Sequence, residues 1–184
     1  LIFVNAIHAY SQKKYPKAEV VVDIRSTLSL KETFEYMVPM DLEHIFNEPY
    51  KNIPSIDSTS NQEAWFTAGQ KRVIFFNDGS TSQEELLSVM PSSGFTYKVY
   101  GFTSPLKILI KQINGSWVFT ETGEGKINIK WTYEFIPKHF LARFLVKTIV
   151  AKRIKTPMQN ALNIMKKELE SGNLYQYSRR VGNW

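Results

Sequence analysis

Residues 117–137 read WVFTETGEGKINIKWTYEFIP, and the period of this stretch decides the fold. Trp117 and Phe119 fall on one face of an extended chain. After the turn Thr122-Gly123-Glu124-Gly125, so do Ile127, Ile129, Trp131, Tyr133 and Phe135. Lys126, Asn128, Lys130, Thr132 and Glu134 take the other face. Alternation at every second residue marks a half-buried strand, and the turn residues tolerate positive φ. The stretch is therefore a β-hairpin with one face of large aromatics. A flat sandwich could use such a face, and so could a curved sheet wrapped round a helix.

The chain before the hairpin supplies more strands. Residues 18–27 (AEVVVDIRST) predict a first strand. Residues 28–38 predict a short helix, with Ser29 as N-cap, Glu32 three positions on, and Leu30, Phe34 and Met37 sharing a face. Pro39 ends it, and residues 40–46 restart as a second short helix behind Asp41. Residues 64–80 read as one strand arm ending in the turn Asn77-Asp78-Gly79. Residues 81–90 and 95–102 read as two further strands, and 103–115 as irregular or a partial strand. Short turns between successive strands predict an antiparallel meander.

Beyond residue 137 the period changes. Leu141, Phe144, Leu145, Thr148, Ala151, Met158, Leu162, Met165 and Leu169 recur at steps of three and four, the stripe of a long helix. Pro157 predicts a kink or break with Thr156 as a new N-cap, and Gly172 a stop. A twisted sheet of this size curls round one apolar helix. The expected class is α+β: a curved antiparallel sheet of about seven strands around a long C-terminal helix, with two short helices after the first strand.

Composition narrows the function. The 184 residues are 43% hydrophobic and 22% charged, as a folded globular chain requires. Without cysteine there is no disulfide scaffold, thiolate metal site or cysteine nucleophile. His8, His44 and His139 have no ligand spacing, so no metal is expected. The net charge is +6, much of it in Lys138, Arg143, Lys147, Lys152, Arg153, Lys155, Lys166 and Lys167. These read as a solvated helix face; no nucleic-acid recognition pattern accompanies them. Membrane contact through this basic helix is a third reading, after a binding protein and an enzyme. The apolar start LIFVNAIHAY is too short to span a bilayer. It reads as a first helix on the sheet, with the remnant of a removed signal or anchor as the alternative; a cytoplasmic protein is expected.

Four stretches in this order and spacing resemble the START-like (SRPBCC) superfamily, and within it the polyketide cyclase/dehydrase and lipid transport group. They are LSLKETFEYMVPMDLEHIFN, GQKRVIFFNDGSTSQEELLSVMP, FTYKVYGFTSPL and the opening hairpin. The resemblance covers residues 18–171, leaving 1–17 as an N-terminal extension and 172–184 as a tail. It implies the helix-grip fold, with an apolar cavity between the sheet and the C-terminal helix. Residues 1–17 and Pro157 depart from the family pattern. The resemblance further implies a pocket for a lipid, polyketide or similar apolar molecule, without a cofactor and without fixing a reaction.

Strand parity selects the candidate ligand contacts: Arg72, Ile74, Phe76, Glu84, Leu86, Tyr97, Trp117, Phe119, Trp131 and Tyr133 from the sheet, Thr148 and Ala151 from the helix. Arg72 and Glu84 flank one turn and can pair across it. The resemblance gives an inward Glu the role of orienting ligand or water. Phe144 and Met165 are expected to close the ends of the cavity, and loops 46–56 and 101–109 its mouth. The leading reading is a carrier or binding domain. The alternative is a cyclase or dehydratase with Glu84 as acid or base, helped by Tyr133 or by His44 near the mouth.

Overall fold

The computed structural model describes residues 15–60, 65–123 and 125–176. The first-helix reading of residues 1–10 and any docking of Trp184 lie outside them. β1 (Lys17–Arg25) is followed by α1 (Leu30–Met37) and α2 (Leu42–Ile45). Then come β2 (Ile56–Thr59), β3 (Lys71–Phe76), β4 (Thr81–Met90) and β5 (Gly94–Tyr100). α3 (Leu106–Leu109), β6 (Ile110–Gly123), β7 (Lys126–Pro137) and a helical run from 140 to 171 complete the order. The seven strands make one antiparallel sheet, ordered β1-β7-β6-β5-β4-β3-β2.

Local chemistry explains most of these elements. Ser29 Oγ accepts from Glu32 N, and the Glu32 carboxylate accepts from Ser29 N, closing a capping box at the start of α1. Asp41 precedes α2, but its side chain makes no cap bond. The arm expected over 64–80 is shorter: β3 begins only at Lys71, because Gln70 Oε1 holds Phe66 N and Thr67 N in a turn. Residues 103–115 divide in two. Pro105, already at φ −54°, starts the single turn α3, and Ile110 returns the chain to β6.

The inner face is built in rows across the sheet. Val89, Phe95, Trp117, Trp131 and Val20 stand opposite one another from β4 to β1. Trp117 and Trp131 lie 4.5 Å apart, and Phe95 stacks on Trp117 at 5.5 Å. Burying each such ring contributes at most about 4–6 kcal/mol. The neighbouring row runs Leu86, Tyr97, Gly115, Tyr133, Ala18. Two tyrosines there alternate with the two smallest residues. A Cβ on Gly115 would stand 2.2 Å from Cζ of Tyr97. The Tyr97 ring occupies the space that any other residue would fill.

The C-terminal run corrects the sequence reading. It comprises α4 (Phe140–Leu145), a π-turn (Val146–Val150), α5 (Ala151–Arg153) and α6 (Lys155–Ser171). Pro157 sits in the first turn of α6, where its missing N–H is least felt. The break falls at Ile154: Pro157 has no N–H to offer the carbonyl of Arg153, four residues upstream. Thr156 therefore caps nothing. The π-turn adds a second shift: Ala151 N bonds Val146 O, five residues back. From Ala142 the inward residues recur at steps of four, through Val146, Val150 and Ile154 to Met158. Phe140, Leu141, Phe144, Leu145 and Ile149 are left facing solvent. The predicted stripe holds at Ala151 and from Met158 through Leu162, Met165 and Leu169, and fails at Leu141, Phe144 and Leu145. Gly172, at φ 74°, ends α6 as a left-handed cap.

α6 packs against β1 and α2, and α1 against the far end of β6, where Phe34 meets Phe119 edge-on at 5.2 Å. That end of the grip is filled. For Gly115→Ala we expect a loss of about 3 kcal/mol, read from the urea midpoint. In a Tyr97→Ala background the same change should cost less than about 1 kcal/mol.

Candidate ligand-binding cavity

α6 leaves the inner face of β3, β4 and β5 uncovered, and a cavity of about 520 Å³ opens there. Its floor is strand side chains: Ile74 and Phe76, Phe95 and Val99, Ile113 and Trp117, Trp131 and Phe135. Ile149, Val150, Arg153 and Ile154 form the helical wall. Phe46, Asn52, Ile53 and Pro54 on one side and Phe102, Ser104, Pro105 and Leu106 on the other stand at the mouth, within the two loops expected there. No residue of α1, and none after Ile154, contributes among the described residues.

Asp78 and Arg153 line this space from its exposed side, and one buried pair of charges stands inside it. Arg72 and Glu84 stand opposite each other on β3 and β4, both nearly sealed from solvent. Arg72 Nε donates to Glu84 Oε2 at 2.6 Å and Nη2 to the same oxygen at 2.5 Å. The Trp65 ring lies under the guanidinium, 4.3 Å from its carbon, adding a desolvated cation–π contact. Arg72 Nη1 is buried and finds no acceptor among the described residues; Ser82 Oγ, opposite Ile74, is likewise buried without a partner. Both residues line the cavity.

Two phenols border the pair. Tyr97 Oη accepts from Trp131 Nε1 at 2.8 Å, and the Tyr97 and Tyr133 rings meet edge to face. Burial pushes the Tyr97 hydroxyl well above the usual phenol range, with Tyr133 and then Glu84 adding to the shift. Burial raises Tyr133 as well, followed by the Glu84 carboxylate, against smaller lowering by Tyr97 and Arg72. The surface that Tyr133 keeps accessible faces the cavity. Both are neutral donors throughout the physiological range.

No protein-family model matches the sequence, and no curated protein matches it. Solved structures do match. Ginseng (Panax ginseng) major latex-like protein 151 superposes with a TM-score of 0.59 at 13% identity, over 83% of this chain and 97% of that one. Ara h 8.0201 gives 0.60 at 17%, over 84% and 99%. DynU16, from the dynemicin biosynthetic locus, gives 0.54 at 14%, over 89% of this chain; the chain spans about half of its length, 51%.

The chain has the helix-grip fold of these structures.

Within that grip, eight of the sequence-selected contacts reach the cavity wall: Arg72, Ile74, Phe76, Glu84, Tyr97, Trp117, Trp131 and Tyr133. Four do not. Phe119 points inward but toward the filled end, and Leu86, fully buried beside Tyr97, stays off the wall. Ala151 is packed core, and Thr148 turns its hydroxyl back to Phe144 O at 2.8 Å. The π-turn moves both off the helical wall and puts Ile149, Val150 and Arg153 there. Phe144 closes no end of the cavity, since it faces solvent; Met165 is fully buried outside the wall. His44 is also displaced from the mouth. Its Nε2 pairs with Glu168 Oε1 at 2.5 Å, and its ring stacks on Tyr175 at 3.7 Å, tying α2 to the end of α6. Trp65 was missed because it lies in a turn, where no period signals an inward side chain.

Removing one member of the buried ion pair strands the other charge. Glu84→Leu should cost about 3–5 kcal/mol in chemical denaturation, and Arg72→Leu added to it should recover part of that loss.

The phenols give a pH signature. Below pH about 10 they are neutral in both states and the fold keeps its full stability. Above it the unfolded chain ionises while the raised pKa values hold the folded phenols neutral. Stability should then fall by about 1.4 kcal/mol per pH unit for each tyrosine. Tyr133→Phe should remove one tyrosine's share of that slope in urea titrations between pH 9 and about 11.

Proposed function

We propose that the protein binds one apolar small molecule, a lipid, a polyketide or a similar compound, in the cavity between sheet and helix, and serves as its carrier. The observation behind this reading is a cavity of about 520 Å³ with walls of aromatic and aliphatic side chains and a buried cationic donor, Arg72 Nη1, without an acceptor among the described residues. Sites for small molecules span roughly 300–1,000 Å³ and set orientation with a few convergent polar groups. Arg72 Nη1 and Ser82 Oγ are such groups. They suit a ligand with one carbonyl, hydroxyl or carboxylate oxygen at the end of an otherwise apolar body. That oxygen would take up donors whose burial otherwise costs about 1–3 kcal/mol each.

The alternative, a cyclase or dehydratase with Glu84 as acid or base, has less support. Oε2 of Glu84 already accepts two guanidinium N–H bonds, and His44, the second titratable candidate, lies outside the cavity. Tyr133 remains near it as a neutral donor.

Native mass spectrometry after mild extraction should find one small molecule per chain. Titration with 1-anilinonaphthalene-8-sulfonate should saturate at one site. Val150→Trp, which fills the helical wall, should weaken that binding at least about tenfold and move the unfolding midpoint little, since empty space tolerates added volume. An unchanged titration in this variant would remove the cavity from the account.

A further inference from the structure

The first half of the C-terminal helix keeps a large apolar face in water. Phe140 is 81% exposed, Phe144 68% and Leu141 62%, with Leu145 and Ile149 about two-fifths exposed. Side chains at 140 and 144, and at 141 and 145, adjoin one turn apart, and Ile149 continues the row across the π-turn. α3 packs against α4 and carries Ile108, itself 62% exposed. Single exposed apolar residues are ordinary, but six on two adjoining elements mark an interaction surface.

The charges beside this face have one sign. Residues 86–120 and 135–167 contain no Asp or Glu, while 135–167 hold eight Lys and Arg, more than the net charge of +6. Lys107, Lys111, Lys138, Lys147 and Lys152 are exposed. A second copy related by a two-fold axis would set these cations against each other. The interface of an anionic bilayer answers both features. Its acyl boundary takes the apolar side chains, and its phosphates take the lysines at the rim.

We propose that α3 and residues 140–149 form a docking surface for an anionic lipid bilayer. Ile149 and Leu106 also border the cavity, so docking turns its mouth toward the membrane. An apolar ligand would then enter without crossing water; that step alone rests on the carrier reading. No helix among the described residues is long and apolar enough to cross a membrane, so the contact is one of surface insertion.

The test is co-sedimentation of the full chain with phosphatidylcholine vesicles, with and without phosphatidylglycerol, at low and high salt. Binding should require phosphatidylglycerol and fall steeply with salt. Phe140→Ser with Phe144→Ser should lower the partition coefficient at least about tenfold, and Lys147→Ala roughly fivefold, with the thermal midpoint unchanged because these side chains are exposed. Three results would overturn the proposal: no binding to anionic vesicles, equal binding to neutral ones, or binding that the double serine variant leaves intact. A dimer in sedimentation velocity that the same variant dissociates would assign the face to a second copy and overturn it as well.

Discussion

One helix is about 10 Å across, and seven strands at about 4.8 Å spacing present a far wider inner face. The C-terminal helix therefore cannot cover all the apolar surface that the strands turn toward it. α6 settles over β1, with α1 filling the end beside Phe119, and the inner face of β3 to β5 is left without a partner. The cavity is this shortfall in coverage. Its position follows from where the helix lies, and its apolar character from the strand alternation that buries the rest of the sheet.

Within that space the polar groups are few and mutually dependent. Arg72 and Glu84 would each be costly alone in such surroundings, and Trp65 under the guanidinium helps hold the pair. The pair is not closed on itself, because Nη1 finds no acceptor among the described residues. Gly115 shapes the same region: by lacking a Cβ it makes room for the Tyr97 ring, which meets Tyr133 edge to face. The proposed ligand, with one oxygen and a large apolar body, matches this distribution.

The π-turn governs the helix. One added residue per turn moves Val146, Val150 and Ile154 inward, leaves Phe144 and Leu145 outward, and sets Ile149 at the border of cavity and solvent. The wall of the cavity and the apolar face on the surface are thus two results of a single change in helical winding. π-turns recur at functional sites, and here the winding decides which side chains meet the cavity and which meet solvent.

Much of the fold was legible in the residues. Period-two alternation from Trp117 to Phe135 set the facing of the hairpin, Ser29 and Glu32 announced α1, and the turn at Asn77-Asp78-Gly79 set Arg72 opposite Glu84. These signals are local: strand parity, capping and turn chemistry act over a few residues, so sequence alone determined the hairpin, its inward face and the facing of Arg72 and Glu84, but not the edge strand β2 or the start of β3. Tertiary structure decided the rest. An α-helical count cannot foresee a π-turn, so Thr148 and Ala151 were placed on a wall that belongs to Val150 and Arg153. Parity tells that Phe119 points inward, but not that the grip is filled at its end and open at Arg72. That depends on where α1 and α6 come to rest on the sheet, a matter of packing between segments far apart in the chain.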